Sequence, residues 1–193
     1  RFFVRCHNRP QKAPTFRRAY RIDFTNFPLD MRWAKSILFK KKWEKVVTHR
    51  SSKGNGVPSH VPVLVGEVLA WLACKPGGIY VDCTVGQGGH AEQILARTEP
   101  GGILIGIDRD PAALAATEQR LAHEASRMRL VHGNFGGFAQ HVRSVGVSEV
   151  DGVIFDLGVS SAQLDQPERG MSFLADGPLD MRMDPRRSEE HTL

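Results

Sequence analysis

Three glycines stand close together in the stretch VDCTVGQGGHAEQI, residues 81–94. They follow an apolar run and precede a helix-like pattern, which predicts a turn from a strand into a helix. Gly86, Gly88 and Gly89 let the backbone turn tightly and approach a ligand without a Cβ in the way. The N-terminus of the following helix favours anionic or polar groups. Alone, this turn fits a structural role as well as it fits a cofactor site.

Acids at the ends of the predicted strands favour a cofactor. Asp108 ends the run ILIGID, 22 residues after Gly86, and a carboxylate about 20 residues beyond such a turn commonly accepts hydrogen bonds from ribose hydroxyls. Both NAD and S-adenosylmethionine carry such hydroxyls. Asp82 and Asp156 add two more acids, which suit a cationic sulfonium better than a diphosphate. The turn GQGGH also departs from the G-x-G-x-x-G of dinucleotide sites. For Asp82 and Asp156, capping of backbone amides is the structural alternative.

Two further residues are candidates for the same site. Phe135 follows the third predicted strand, where it can flank an adenine or pack in the core. His90 lies in the first turn of the helix after the glycines, where it can donate a hydrogen bond, cap the helix or pack. The chemistry of the residues alone does not identify His90 as a general base.

Strands that alternate with helices position these residues. GGIYVDCT, ILIGID, MRLVHGNF and VDGVIFDLG predict strands, and VPVLVGEVLAWLA, HAEQILART, PAALAATEQRLAHEAS and FAQHVRSVG predict helices. The predicted fold class is therefore α/β with a parallel sheet. Right-handed crossovers bring the carboxyl ends of parallel strands to one edge, where ligands bind. The residues expected at this edge are Gly86–His90, Asp108, Asn134–Phe135 and Asp156.

Length and composition fit one folded domain. The chain has 193 residues, enough for a hydrophobic core. It contains no run of about 18 apolar residues, so no membrane span is predicted. Cys6, Cys74 and Cys83 show no paired spacing, which disfavours a disulfide framework or a metal site.

Charge divides the chain into unequal parts. Residues 1–56 hold 15 Lys+Arg and 3 Asp+Glu, a balance of +12, whereas residues 57–193 hold 11 and 18, a balance of −7. Residues 1–56 are expected to be a basic, disordered or non-native leader; an organellar transit segment, an RNA-binding arm and translated upstream sequence all stay open. Residues 187–193 begin with RSEEHT, which matches the translation of a sequencing adapter. Residues 57–186 are then the expected folded domain.

Five strings resemble the RsmH (MraW) methyltransferases, enzymes that methylate the exocyclic amine of a cytidine in small-subunit ribosomal RNA. The strings are HVPVL, VDCTVGQGGH, GIDRDP, DGVIFDLGVSSAQLDQPERGMSF and DGPLDMRMDP, and they extend from His60 to Pro185. The last two are the most specific, because long strings of this kind are not general features of Rossmann-like folds. The resemblance implies a class I (Rossmann-like) methyltransferase sheet with flanking helices, truncated before an inserted helical domain.

The resemblance also implies contacts to S-adenosylmethionine from the glycine loop, from a ribose-binding acid and from three further pocket residues. The matching positions are Gly88, Gly89, His90, Asp108, Phe135, Asp156 and Gln163. It assigns no catalytic base and no metal. Ser160 and Ser161, in the turn after the fourth strand, are more typical of turn formers than of catalytic groups.

The expected partner is small-subunit ribosomal RNA, within an assembled small ribosomal subunit. The target base has to be unpaired or extruded to reach such a site. Arg169, Arg182 and Arg186 are the basic candidates for RNA contact. The alternative for Arg169 and Arg182 is pairing with nearby acids, namely Glu168, Asp180 or Asp184.

Two other functions stay open, an NAD-dependent oxidoreductase and a non-enzymatic RNA-binding protein that uses the basic arm. Because the strings correspond to roughly the first half of a typical family member, we expect this chain to be inactive on RNA. We also expect an unpaired sheet edge and weak cofactor binding at most. The expected location is a bacterial-type cytoplasm, or a mitochondrion or plastid if residues 1–56 are a transit segment. The oligomeric state is not predicted.

Overall fold

The computed structural model describes residues 2–4, 22–23, 62 and 64–186. The expectations for the adapter-like residues 187–193, and for most of the basic residues 1–56, lie outside the described residues and stay predictions.

A parallel sheet forms the centre of the described structure. Its described strands are β1 (Phe2–Val4), β2 (Ile22–Asp23), β3 (Ile79–Asp82), β4 (Ile103–Asp108), β5 (Met128–His132), β6 (Glu149–Val150) and β7 (Gly152–Phe155). The main sheet has the order β1-β7-β3-β4-β5, in which β1 alone is antiparallel to its neighbour. The short strands β2 and β6 form a separate antiparallel pair. The four strands predicted from the sequence are β3, β4, β5 and β7, so the predicted fold class is confirmed.

Helices occupy the predicted connections. Those described are α1 (Val65–Leu72), α2 (Gly89–Arg97), α3 (Pro111–Arg120), α4 (Phe138–Ser144) and α5 (Ser161–Asp165), with 3₁₀ turns at Ala122–Arg127, Phe135–Gly137 and Pro167–Arg169. Among these described helices, none has the length and apolarity to cross a bilayer.

The helix that begins at Pro111 is shorter than predicted. The Ala-rich pattern predicts a helix that continues to Ser126, but α3 ends at Arg120 and a 3₁₀ turn follows. Arg127 donates a hydrogen bond to the Leu95 carbonyl at 3.1 Å. Arg127, at the end of the 3₁₀ turn, is thus bound to the neighbouring helix α2, and tertiary contacts of this kind can override local helix propensity.

The core lies on both faces of the sheet because successive strand residues point to opposite sides. Val81 and Ile105 pack with α4 on one face, whereas Leu104 and Ile154 pack with α1 and α2 on the other. All four side chains are fully buried, and each contributes roughly 1.5–3 kcal/mol by leaving water. This two-sided core fixes the strand ends that carry the candidate site.

The strand order reverses between β3 and β7. After β3 the chain continues to β4 and β5 on one side, and then returns to β7 on the other side of β3. Such a reversal opens a crevice beyond the carboxyl ends of the two strands. Asp82 ends β3 and Asp156 follows β7, so both acids border this crevice.

The outer edge of β7 is paired, in contrast to the unpaired edge expected from the sequence. Phe2 lies opposite Phe155 and Val4 lies opposite Val153. The expectation overlooked β1 because residues 1–56 show no apolar periodicity that marks a strand.

Candidate cofactor site

The glycine loop, residues 84–89, connects β3 to α2. Gly86 and Gly88 have φ angles of 53° and 79°, in the left-handed region that side-chain-bearing residues rarely adopt. A Cβ on Gly88 would lie 3.2 Å from the Thr117 side chain and 3.3 Å from that of Leu121. The Thr117 hydroxyl also donates to the Gly86 carbonyl at 2.7 Å. Backbone conformation and close packing on α3 therefore both require glycine in this loop.

Asp108 binds the glycine loop from the end of β4. Its Oδ2 accepts the Gly86 N–H at 2.8 Å, and its Oδ1 accepts the Asp110 N–H at 2.9 Å. Burial raises the pKa of Asp108 above its ordinary value, and the two hydrogen bonds oppose that rise. Each carboxylate oxygen can accept more than one hydrogen bond. Asp108 can therefore hold the loop and still accept a ribose hydroxyl.

Asp82 is a buried acid with unused hydrogen-bonding capacity. Its side chain is 1% exposed, and its Oδ1 accepts the Thr84 N–H at 3.1 Å. Its Oδ2 has no hydrogen-bond partner among the described residues. Burial, together with the nearby charges of Asp108 and Asp156, raises the pKa of Asp82 to about 7. An unsatisfied buried acceptor of this kind destabilises a fold by roughly 1–3 kcal/mol, which a cationic donor in the crevice would offset.

His90 and Asp156 face each other at the same edge. The Nε2 of His90 lies 3.6 Å from the Oδ2 of Asp156. The Asp156 N–H donates to the Thr84 hydroxyl at 2.8 Å, which ties the end of β7 to the start of the glycine loop. The structure thus brings together Asp82, Asp108, His90 and Asp156, as the strand pattern predicts.

Phe135 lies between this edge and the core. It is partly buried against the core, and its ring meets Phe155 edge-to-face with centroids 6.1 Å apart. Core packing, one of the two alternatives for Phe135, is confirmed, and it leaves part of the side chain accessible beside the carboxyl end of β5. A direct contact with an adenine stays a prediction.

Gln163 is engaged in local structure. Its Oε1 accepts the Ser160 N–H at 2.9 Å, while the Ser160 hydroxyl accepts the Gln163 N–H at 3.2 Å. This reciprocal pair is a capping box at the start of α5. The side-chain nitrogen of Gln163 donates to Asp110 at 2.8 Å. These contacts give Gln163 a role in holding α5, and its contact with the cofactor stays a prediction.

The candidate RNA-binding arginines form ion pairs. Hydrogen bonds from Arg182 lower the pKa of Asp180 to about 2, as the pairing alternative predicts. Arg169 pairs instead with Asp110 at 2.9 Å, an acid outside the three that the sequence offers as partners.

Asp110 is a residue of this edge that the sequence pattern did not single out. It forms the N-cap of α3, where its Oδ1 accepts the Ala112 N–H at 2.9 Å. The dipeptide Asp110–Pro111 is a recognisable helix start, so the cap could have been found from the sequence. Its contacts with Gln163 and Arg169 are long-range and leave no local signal.

The order of the parallel strands, the left-handed glycine loop and the acids at the strand ends define a Rossmann-like nucleoside-cofactor domain. The MraW methylase family model matches residues 58–192, and the chain belongs to that family. S-adenosylmethionine, which the residues favoured and the resemblance predicted, is the cofactor of the family. The oxygen of Asp82 without a partner and the glycine loop fit its ammonium and nucleoside ends.

Relatives from two bacteria illustrate the match. The ribosomal RNA small subunit methyltransferase H of Trichlorobacter lovleyi is 55% identical over 125 residues, which cover 65% of this chain and 40% of that protein. The protein of the same name from Shewanella loihica is 54% identical over 132 residues, 68% of this chain and 42% of that protein. The chain therefore spans about two fifths of the length of the curated relatives it matches.

Similarity to solved structures is weaker. An S-adenosylmethionine-dependent O-methyltransferase of Thermotoga maritima is 15% identical to the chain, with a TM-score of 0.34. The overlap covers 36% of this chain and 27% of that one. Similarity of this extent carries no argument about function.

Proposed function

We propose that the protein to which this sequence belongs transfers a methyl group from S-adenosylmethionine to the exocyclic amine of a cytidine in small-subunit ribosomal RNA. The observation that carries the proposal is the buried Asp82, whose Oδ2 has no partner among the described residues. A methionine moiety offers an ammonium group to this oxygen, whereas a diphosphate would bring negative charge to it. Family membership supports the reaction type, and the names of the relatives support ribosomal RNA as substrate.

Three acids would hold and orient the cofactor. Asp82 would bind its ammonium group, and Asp108 would accept hydrogen bonds from its ribose. Asp156, whose side chain is 31% exposed, would line the mouth of the crevice beside His90. The bound cofactor supplies an electrophilic methyl carbon. The chief contribution of the protein is then to align that carbon with the incoming amine.

The amine of cytosine needs help to react because its lone pair is delocalised. Acceptors close to the amine would polarise it and receive its proton. The carboxylate of Asp156 and the backbone carbonyls of residues 157–159 are proposed as these acceptors, because they follow the carboxyl end of β7 beside the crevice. The hydroxyl of Ser160 is already engaged in the capping box of α5, which makes it a weaker candidate.

The proposed setting is an assembled small ribosomal subunit in the cytoplasm. An extruded base can enter a pocket of this kind, and extrusion costs least where the base is already unpaired. Leu157 and Val159 are exposed beside the crevice, where apolar side chains can contact the face of a base.

Isothermal titration calorimetry tests the cofactor part of the proposal. We expect this chain to bind S-adenosylhomocysteine and to show no heat of binding with NAD. Binding of NAD without binding of S-adenosylhomocysteine would overturn the methyltransferase proposal and favour an oxidoreductase.

Methyl transfer to RNA is tested separately. We expect no incorporation of labelled methyl groups into purified small subunits by this chain, because it spans only about two fifths of its relatives. Robust incorporation would contradict the expectation that the chain is inactive.

A further inference from the structure

Asp110 joins the cofactor edge to a distant part of the chain. Its N–H donates to Asp108 at 2.9 Å, and its Oδ1 caps α3 through the Ala112 N–H. Its Oδ2 accepts from Gln163 at 2.8 Å and from Arg169 at 2.9 Å. Asp110 is 2% exposed, and its contact with Gln163 is buried.

Arg169 extends this network into the C-terminal segment, which we define as residues 166–186. Its side chain is 12% exposed. Besides Asp110, its Nη2 donates to the backbone carbonyl of Met183 at 2.8 Å and contacts that of Arg182 at 3.3 Å. One guanidinium thus binds a buried carboxylate and the backbone near the end of the described chain.

An unbroken series of polar contacts joins the C-terminal segment to the glycine loop. Met183 contacts Arg169, Arg169 pairs with Asp110, Asp110 donates to Asp108, and Asp108 accepts the Gly86 N–H. Burial and the nearby charge of Asp110 both raise the pKa of Asp108, because neighbouring like charges repel. The guanidinium of Arg169, which pairs with Asp110, brings a positive charge to these two carboxyl groups.

We infer that Arg169 is a positioning residue for the cofactor site. It neutralises Asp110, so that Asp110 can hold Asp108 and Asp108 can hold Gly86 in the conformation that accepts the cofactor. Arg169 itself does not touch the cofactor in this arrangement. The inference rests on the proposed function for its link to cofactor affinity. The link from Arg169 to loop order stands on the hydrogen bonds alone.

The test compares two arginines of the same segment. Arg169→Met removes the buried cation, and Arg182→Met is the matched control because Arg182 pairs with the neighbouring Asp180. Hydrogen–deuterium exchange of a peptide spanning residues 84–95 reports on the order of the loop. Calorimetry with S-adenosylhomocysteine reports on the site.

We expect Arg169→Met to speed exchange in the loop and to weaken S-adenosylhomocysteine binding by about tenfold or more, because it leaves a buried charge unpaired. Arg182→Met should leave both measurements unchanged. Adding Asp110→Asn to Arg169→Met should restore much of the loss, since asparagine still caps α3 and removes the unpaired charge.

The outcomes separate the inference from the proposed function. Unchanged loop exchange in a folded Arg169→Met protein overturns the inference, even if the wild-type chain binds S-adenosylhomocysteine. If the wild-type chain does not bind that ligand, the proposed function fails while loop exchange still tests Arg169. Should Arg169→Met not fold, Asp110→Asn is compared with the double variant. Equal loop exchange in Asp110→Asn and in the double variant supports the inference that Arg169 acts through Asp110. Unequal exchange overturns that inference.

Discussion

The carboxyl edge of the sheet and the C-terminal segment are held together in opposite ways. At the edge, backbone N–H groups of the glycine loop and of α3 bind carboxylates that project from strand ends. In the C-terminal segment, the described regular structure is the short 3₁₀ turn Pro167–Arg169. Ion pairs from Arg169, Arg182 and Arg186 supply much of the remaining organisation.

The two regions also differ in what they bury. Asp82 and His90 at the edge are buried polar residues. The C-terminal segment also buries Met171 and Asp184, but it leaves three large apolar side chains 93%, 100% and 108% exposed, namely Phe173, Leu174 and Leu179. The edge is therefore specified by the sheet beneath it, and the segment by a few side-chain contacts. Substitutions at the edge should act on cofactor binding, and most substitutions in the segment should not.

Replacement of Asp82 should have the largest effect. Asp82→Asn keeps an acceptor for the Thr84 N–H but removes the negative charge that would bind an ammonium group. We expect S-adenosylhomocysteine binding to weaken by roughly 10- to 100-fold, the range for a lost charge-assisted hydrogen bond. Calorimetry measures the affinity.

Asp176→Asn is the matched control for Asp82→Asn, because it removes an exposed acid of the C-terminal segment. Its affinity should equal that of the wild-type chain. If Asp82→Asn also binds S-adenosylhomocysteine with the affinity of the wild-type chain, Asp82 does not contact the cofactor.

Replacement of Gly88 should rank second. Gly88→Ala adds a Cβ against Thr117 and Leu121, in addition to the left-handed φ of 79°. Gly146→Ala has the same φ of 79°, with nothing within 4 Å of its Cβ. We expect Gly146→Ala to lower the free energy of unfolding by about 1–2 kcal/mol, and Gly88→Ala to lower it further and to weaken cofactor binding. Urea denaturation measures the free energy of unfolding of each variant, and calorimetry measures cofactor binding. Equal losses of unfolding free energy in the two variants would show that packing on α3 does not constrain the loop.

The pH dependence of binding should be the next largest effect. The pKa of Asp82 is about 7 in the folded chain, and its ionised form is the one that binds an ammonium group. The dissociation constant should therefore fall about tenfold between pH 6 and pH 8. Asp82→Asn should remove most of this slope, and a slope that persists in the variant would assign it to another group.

The stability of the cofactor-free chain should fall as pH rises, whereas cofactor binding should strengthen. The folded pKa of Asp82 lies above its ordinary value of 3.8, so the folded chain binds the proton more tightly than the unfolded chain. Its contribution to stability is complete below about pH 4 and is lost as pH rises to about 7. Asp82→Asn should be more stable than the wild-type chain at pH 8 and equal to it near pH 4. Thermal unfolding at the two pH values checks the sign.

The smallest effect is expected for the exposed apolar residues of the C-terminal segment. Phe173→Ser and Leu174→Ser remove side chains that make little contact with the described structure. The melting temperature should stay unchanged, because little apolar area returns to water. A clear fall would show that these side chains are covered in solution.

Much of the fold can be predicted from local patterns in the sequence. The run ILIGID predicts β4 with its observed ends because a central parallel strand is buried on both faces and is continuously apolar. The strand ends then place Asp82, Asp108 and Asp156 at one edge, as topology requires. The length of α3 was not predictable in this way, because the residues that follow it make a long-range contact between Arg127 and Leu95, which local helix propensity does not show.

The candidate site was predicted less completely than the fold. Residue spacing predicted which acids share the edge, but the lack of a partner for Asp82 Oδ2 depends on burial, which spacing does not show. The resemblance placed Gln163 at the cofactor pocket, which stays a prediction, and the hydrogen bond from its amide to Asp110 had no signal in the sequence. The pairing of Arg169 with Asp110 joins residues that are far apart in sequence, so only the folded chain reveals it.

The pairing of β1 with β7 has a consequence for how the chain behaves at high concentration. β7 carries Val153, Ile154 and Phe155, all buried, and β1 covers its outer edge. A chain shortened to begin at residue 57 would present this apolar edge to other molecules, and bare edges of this kind template intermolecular strand pairing. We expect the shortened chain to self-associate, and light scattering would measure this. The cause would be the loss of the three-residue strand β1, which lies far from β7 in the sequence.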